Sequence, residues 1–436
     1  MGRNTRIPQG TRSPSGHSSD DLPRRSGRRR FLAQSAGIAG AAAAGIAPPA
    51  AAQDATAVPP WMQTMGAPMR GYGTPSKFEE KVLRTAASGY AQVTPGAGSS
   101  RTPLQALEGT ITPSGLHFER HHNGVPAIDP AQHRLMIHGL VRKPLVFTLE
   151  TLERYPLTSR ICFLECAGNS GANTTATTAP QVTAQAIHGL VSCSEWTGVP
   201  LSLLLNEAGL EAGADWLLAE GADAAAMSRS VPLSKALDDA LLALYQNGER
   251  LRPEQGYPVR LLLPGWEGNM NVKWLRRIKV TKGPTHTKDE TAKYSDMIPG
   301  GKALQFTFEL GVKSVITRPS FGARVAGPGF HEVSGIAWSG AGRIRRVDVS
   351  VDGGATWKEA ALQGPIFPKS LTRFRMPWNW DGGRAVLASR AVDENGNVQP
   401  TRAAWLAGMA QPARYHNHSI QAWEVSGDGS IANVFI

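Results

Sequence analysis

Ile161-Cys162-Phe163-Leu164-Glu165-Cys166-Ala167-Gly168-Asn169 is the stretch on which the reading of this 436-residue chain turns. Its first half is apolar and strand-like. It ends on a cysteine followed by small residues, which let the backbone come close to something bulky. A thiolate at such a turn can ligate a metal or attack a substrate. A buried, inert thiol fits the same residues. So does a Cys162–Cys166 disulfide in an oxidising compartment. The residue pattern alone leaves these readings open.

On either side of Cys166 the chain mixes short apolar runs with frequent turns. Leu135–Leu140 and Arg260–Pro264 read as buried strands, Leu201–Ala208 and Leu233–Leu242 as short helices. No regular βα alternation appears, so the expectation for residues 111–300 is an α+β domain rather than a doubly wound sheet. Beyond residue 303 the pattern changes. Val333–Trp338, Arg343–Val351, Thr356–Ala361 and Arg384–Ala391 alternate like strands, with turns such as Asp352-Gly353-Gly354 and Asn395-Gly396 between them. That predicts an immunoglobulin-like β-sandwich over 303–425, with Met376–Trp380 in its core. Residues 53–110, rich in Pro, Gly, Ser and Thr, read as an extended arm with one short helix near 77–88.

The N-terminus reads as an address. Arg28-Arg29-Arg30-Phe31-Leu32 is a twin-arginine pattern, followed by an Ala/Gly-rich run and Ala50-Ala51-Ala52 for signal peptidase. Residues 1–52 are thus expected to be removed, leaving a periplasmic protein with no segment long and apolar enough to span a membrane. The formal net charge is +11, from 46 basic and 35 acidic residues. Residues 1–52 hold eight arginines against Asp20 and Asp21, or +6, which leaves +5 for the rest. So mild an excess suits an acidic protein partner and gives no argument for nucleic acid. Three cysteines exclude a disulfide-stapled scaffold. There is no GxGxxG, no P-loop and no Cys-x-x-Cys-His haem attachment segment.

The blocks around Cys166 recur, in order, in one family. Phe118-Glu119-Arg120-His121-His122, Cys166-Ala167-Gly168-Asn169, Glu220-Gly221-Ala222-Asp223, Gly256-Tyr257-Pro258-Val259-Arg260, Pro264-Gly265 and Asn271-Val272-Lys273-Trp274-Leu275 resemble the sulfite oxidase family. Gly335–Gly342, Arg346–Trp357 and Ala391–Pro400 match as well, so the resemblance covers residues 110–425. It implies a molybdenum–molybdopterin cofactor with Cys166 as the protein's metal ligand. It also implies that Phe118, Glu119, Arg120, His121 and His122 contact the pterin, with Arg120 facing the substrate oxyanion. Asp223, Gln255, Arg260, Asn271, Val272 and Lys273 would hold the pterin and its phosphate, to which Arg260 offers a fork and Lys273 a point charge. Tyr294 stands where the family keeps its active-site tyrosine, and Arg414 matches loosely a substrate-facing arginine. In the family the sandwich mediates dimerisation.

Departures from the family bear on substrate. Two arginines usually follow the Cys-Ala-Gly-Asn segment, the second facing the anion, and here Ser170 and Gly171 stand in their places. The usual Asp-His before Gly-x-Pro is Glu254-Gln255, and Gly268-Asn269-Met270 replaces Gly-Ala-Arg. With Pro264–Asn271, this resembles the sulfane dehydrogenase branch of the family, which serves thiosulfate oxidation. The resemblance implies oxidation of sulfane sulfur on a carrier-protein cysteine, with oxygen from water. Electrons would pass to a c-type cytochrome subunit, since this chain is expected to carry no haem, within a heterotetramer built on a homodimer of this chain. The rival readings are a sulfite dehydrogenase acting on free sulfite, an S-oxide reductase of the same fold, and an exported binding protein without cofactor.

Overall fold

The fold is that of a computed structural model, which describes residues 58–87, 94–410 and 415–436. The twin-arginine segment and Arg414 lie outside the described residues. The chain falls into two units, 1–74 and 75–436. In the described part of the first, a 3-10 turn at Pro60–Met62 carries exposed Trp61 and is followed by exposed Met65, Met69 and Tyr72. No helix among the described residues is long and apolar enough to cross a membrane.

The second unit is built mostly of strands. One sheet orders Glu249–Arg250, Leu241–Gln246, Val191–Pro200 and Thr158–Glu165, with Arg260–Leu262 also on Leu241–Gln246. A second orders Leu145–Phe147, Leu135–Gly139, Leu275–Thr281, Trp216–Gly221 and Ser228–Pro232, its Leu135–Gly139 and Leu275–Thr281 pair being parallel. Aliphatic side chains from both sheets share one core with the Leu201–Ala208 helix. That helix buries Leu201, Leu204, Leu205 and Ala208, one face at 3.6-residue spacing, and stops at Gly209, whose φ is +69°. The expected helix Leu233–Leu242 ends early, at Asp238. Asp239 is held by Lys235 at 2.6 Å and Lys369 at 2.7 Å, and Leu241–Gln246 is drawn into the centre of the first sheet.

The C-terminal part is the expected sandwich. Lys313–Arg318, Gly329–Trp338, Thr372–Trp380 and Ala361–Gln363 form one sheet. Lys358–Glu359, Ile344–Ser350, Ala385–Asp393, Ala422–Val425 and Ile431–Val434 form the other. Phe374, Met376, Trp378 and Trp380 pack against Val347, Leu387 and Trp423 between them. The helix expected near 77–88 is a 3-10 turn, Lys77–Glu79, and then a strand, Thr85–Ala87. Its residues offer no apolar face, and the strand is used as one edge of a small sheet. Thr85–Ala87 pairs with Gly98–Arg101, and Gly98–Arg101 with Glu119–His121. The arm is therefore structural: it extends the sheet that carries Arg120.

Candidate active site

Cys166 sits where the Thr158–Glu165 strand ends and the chain turns into a one-turn helix, Gly171–Thr174. The Cys166 N–H donates to the Leu190 carbonyl at 3.0 Å, and the Asn169 N–H returns to the Cys166 carbonyl at 2.8 Å. Gly268 packs across this turn. A Cβ there would lie 2.9 Å from the Glu165 carbonyl oxygen and 3.3 Å from Cys166 Cα, so only glycine permits the approach. All three cysteines are free. Cys162 pairs with Ser194 and Phe163 with Cys193, so the two buried thiols point to opposite faces of the sheet. Cys162 and Cys166 both carry free thiols, so the Cys162–Cys166 disulfide is not formed.

Two cavities meet at Cys166. The inner one is a slot of about 70 Å³ and the outer a vestibule of about 840 Å³, and Arg120, His122, Cys166, Met227 and Tyr294 line both. Of the residues singled out in the sequence, Phe118, His121, Asp223, Gln255, Arg260, Asn271, Val272 and Lys273 line the inner cavity. Glu119 does not. It stands behind His121, bonded to His121 Nε2 at 2.8 Å and paired with Arg84. Burial, with Lys273 nearby, pulls His121 below its usual value, so it is a neutral donor to Glu119 rather than half of an ion pair. The remaining ring nitrogen, Nδ1, then accepts from Lys273 Nζ at 2.9 Å.

Lys273 also donates to the carbonyls of Arg120 at 3.2 Å and Glu254 at 3.1 Å. Its three protons thus tie the Glu119–His121 strand to the 253–256 turn. Burial, then Arg260, pulls Lys273 down to about 7. Arg260 is buried too, donating to the carbonyls of Gln255 at 2.9 Å and Asn271 at 3.0 Å. Gln255 braces the wall from the other side, its amide donating to the Phe118 carbonyl at 3.0 Å. The Asn271 carboxamide is committed to the 263–267 turn, accepting from the Leu263 N–H at 2.6 Å and donating to the carbonyls of Trp266 and Glu267. Its part is to shape the wall.

At the junction of the cavities, Tyr294 Oη lies 3.0 Å from His122 Nε2. Burial, reinforced by Arg120, lowers His122 to about 3, while burial raises the Tyr294 phenol. Both groups are neutral at pH 7. Tyr294 has φ +51°, a sparsely populated conformation for a tyrosine, and its ring packs against Tyr415 at 5.3 Å.

Ser170 and Gly171 separate in role. Ser170, at φ +64°, is buried away from the cavities and bonded to His188 Nδ1 at 2.7 Å and Lys313 Nζ at 2.7 Å. Gly171 faces the outer cavity, and a Cβ there meets nothing within 4 Å. Two charged clusters behind the site were not read from sequence. Glu165 accepts from Asn169 at 2.8 Å, Lys313 at 3.1 Å and Trp338 Nε1 at 2.7 Å. His416 lies 2.6 Å from Asp296 and 3.0 Å from Glu267, which also receives Arg229 at 3.2 Å. A charged residue inside an apolar strand, as Lys313 is before Ser-Val-Ile, was the one available signal.

The inner cavity fits a polar, anionic, flat ligand. Arg260 Nε, Asn269 Oδ1 and His117 Nε2 are buried there without a partner. Such orphans call for a ligand or water. Two buried cations with no carboxylate bonded to them, Arg260 and Lys273, suit a phosphate, whose charge would remove the penalty that depresses Lys273. A thiol at the far end, beside open space, suits a soft metal.

Comparison with known proteins agrees with this chemistry. The oxidoreductase molybdopterin binding domain matches residues 122–288, and the Mo-co oxidoreductase dimerisation domain residues 305–422. Sulfite oxidase of Gallus gallus is 34% identical over 339 residues, 70% of this chain and 72% of that one. The mitochondrial sulfite oxidase of Mus musculus is 33% identical over 352 residues, and the match spans 62% of that protein's length. The crystal structure of the sulfane dehydrogenase SoxCD from Paracoccus pantotrophus superposes with a TM-score of 0.84 at 46% identity, covering 88% of this chain and 98% of that one. The cofactor is molybdenum–molybdopterin. A thiol-bearing turn between a cation-lined slot and an open vestibule, followed by a dimerisation sandwich, places this chain in the sulfite oxidase family of molybdopterin oxidoreductases.

Proposed function

We propose that this chain is the molybdenum subunit of a periplasmic sulfane dehydrogenase, oxidising sulfane sulfur bound to a carrier-protein cysteine and passing electrons to a c-type cytochrome. The observation that carries this reading is the outer cavity. It has a volume of about 840 Å³ and opens on Cys166 beside Gly171, where family relatives place an anion-facing arginine. That is room for a tethered sulfur chain, well beyond what a small dianion fills. The 46% identity to a sulfane dehydrogenase supports the same choice. The twin-arginine pattern supports export, and the dimerisation domain a pair of these chains.

The bound cofactor supplies two-electron oxygen-atom transfer chemistry. Each oxygen moved from water to sulfur frees two protons and two electrons, so an electron acceptor is part of the reaction. Cys166 would hold the metal; Phe118, Arg120–His122, Asp223, Gln255, Arg260, Val272 and Lys273 would hold the pterin, in a wall that Asn271 shapes. Arg120 donates to the carbonyls of His121 and Gly98 (3.4 Å for the latter), which fixes its guanidinium where the cavities meet. There it would stabilise negative charge growing on oxygen. Tyr294 and His122, a neutral hydrogen-bonded pair, hold one proton at Oη beside the reacting sulfur, keep added charge out of the site and narrow the passage between the cavities.

A second reading, oxidation of free sulfite, keeps Arg120 and the 34% identity to sulfite oxidase in its favour. Steady-state reduction of cytochrome c by the holoenzyme separates the two. A persulfide-loaded carrier protein is expected to give a kcat/KM at least about tenfold above that of sulfite, a difference of about 1.4 kcal/mol in transition-state binding. The reverse order would favour the sulfite reading.

A further inference from the structure

The strand of the N-terminal arm brings a second guanidinium to the outer cavity. Gly98–Arg101 pairs antiparallel with Glu119–His121, and Ser99 stands opposite Arg120. Opposed residues share a face of a sheet, and so do residues two apart on one strand. Arg101 therefore projects on the same face as Arg120, from a diagonal position, a separation of about 7–8 Å. The cavity wall bears this out: Ser99, Arg101, Arg120 and His122 all line it, while Ser100 between them is buried with its hydroxyl on the Glu119 N–H.

Arg101 has no carboxylate. Its Nε is buried without a hydrogen-bond partner, and no described residue pairs with its guanidinium. A half-buried guanidinium on a cavity wall, with a donor left unmatched, is a group in want of an anion. The surroundings share its sign. Lys288 and Lys293 line the same cavity, against one carboxylate, Asp289, among the described lining residues. Gly171 leaves the same cavity open, with nothing within 4 Å of its would-be Cβ.

We propose that Arg101 is a specificity-determining residue that, with Arg120, binds the oxyanion end of the sulfur substrate or product in the outer cavity. It supplies from the arm the guanidinium that position 171 lacks. The change moves the anion site outward from Cys166, onto the path by which the sulfur terminus, once it bears oxygen and negative charge, would leave. This rests on the reading above that the substrate is an oxidisable sulfur chain. The anion site itself is testable without it.

Sulfate is the probe, titrated into the metal-loaded holoenzyme by calorimetry at low ionic strength. Arg101→Met keeps the apolar stem and removes the charge. Arg101→Lys keeps the charge and removes the fork. Sulfate affinity is expected to fall about tenfold or more in Arg101→Met and by less in Arg101→Lys, with molybdenum and pterin content unchanged. In turnover, Arg101→Met should raise KM more than it lowers kcat. Equal sulfate affinity in wild type and Arg101→Met would overturn the proposal. So would loss of cofactor in both variants, which would make Arg101 a purely structural brace. Sulfate binding that depends on Arg101 in an enzyme that oxidises no sulfane sulfur would uphold the anion site and refute the proposed function instead.

Discussion

At the scale of single residues, the site turns on Cys166 and on what stands just after it. If Cys166 is the protein's metal ligand, Cys166→Ser replaces its thiolate with a poorer ligand. Cytochrome reduction should fall by more than about 100-fold, since even indirect changes around a metal lower activity 10–100-fold. The part of the sulfur-to-metal absorption that comes from the cysteine should vanish with it. Unchanged turnover would remove Cys166 from the metal. Gly171→Arg is the test of substrate choice. The Cβ has open space, the position begins a helix, and the side chain would enter the outer cavity beside Arg120. It should lower the KM for sulfite by about tenfold, one charge-assisted hydrogen bond's worth, and raise that for a carrier-bound substrate. A ratio of the two that does not move would sever specificity from this position. The neighbouring Ser170 is no place for arginine. Sequence placed it beside Gly171 as a second lost cation, but its left-handed φ of +64° and its bonds to His188 and Lys313 turn it into the protein. Side-chain direction after a turn is set by backbone conformation, which residue order does not state.

At the scale of elements, what was legible followed local pattern, and what was not followed long-range pairing. The Leu201–Ala208 helix and the alternating strands of the sandwich announce themselves by period. The Leu233–Asp238 helix was overrun because Leu241–Gln246 is apolar enough for either state, and only its place among three partner strands decides it. Thr85–Ala87, expected in a short helix, and Gly98–Arg101, expected as extended arm, alternate too weakly to announce strands; their pairing with each other, and of Gly98–Arg101 with Glu119–His121, makes them a sheet. The same blindness hid the ion pair between the Thr158–Glu165 strand and the Lys313–Arg318 strand. Glu165 and Lys313 are both buried and lie 148 positions apart, a separation over which no period reaches. Their contact fastens the catalytic sheet to the sandwich directly behind Cys166. Lys313→Met leaves Glu165 buried and short of its cation, which should destabilise the protein by about 3–5 kcal/mol in urea unfolding. Adding Glu165→Gln should recover part of that loss. A single variant as stable as wild type would mean the pair contributes nothing to holding the two layers.

Over the whole molecule, the C-terminal segment closes the site from behind, and His416 is the point of closure. Its N–H donates to the Ala167 carbonyl at 2.8 Å, one residue from the proposed metal ligand. Its ring bridges Asp296 and Glu267, so it joins the cysteine turn, the 267–270 turn and the segment bearing Tyr294. Burial opposes a charge on His416, but the hydrogen bonds to Asp296 and Glu267 outweigh it and push the imidazole up to about 9. The consequence for stability has a definite sign. A histidine raised above its unfolded value of about 6.5 binds its proton more tightly when folded. The stabilisation is therefore full below about pH 6.5 and is lost as pH rises through about 9. Its size is on the order of 3 kcal/mol, from a difference of roughly two to three pKa units. His416→Gln keeps a hydrogen-bonding side chain and removes the titration. The gap in unfolding free energy between wild type and this variant should be widest at pH 6 and narrow steadily to pH 9.5. Metal content followed alongside shows whether the cysteine turn loosens as the imidazolium is lost. A gap that stays constant across that range would mean His416 is uncharged between its two carboxylates, and that the site is closed from behind by packing alone.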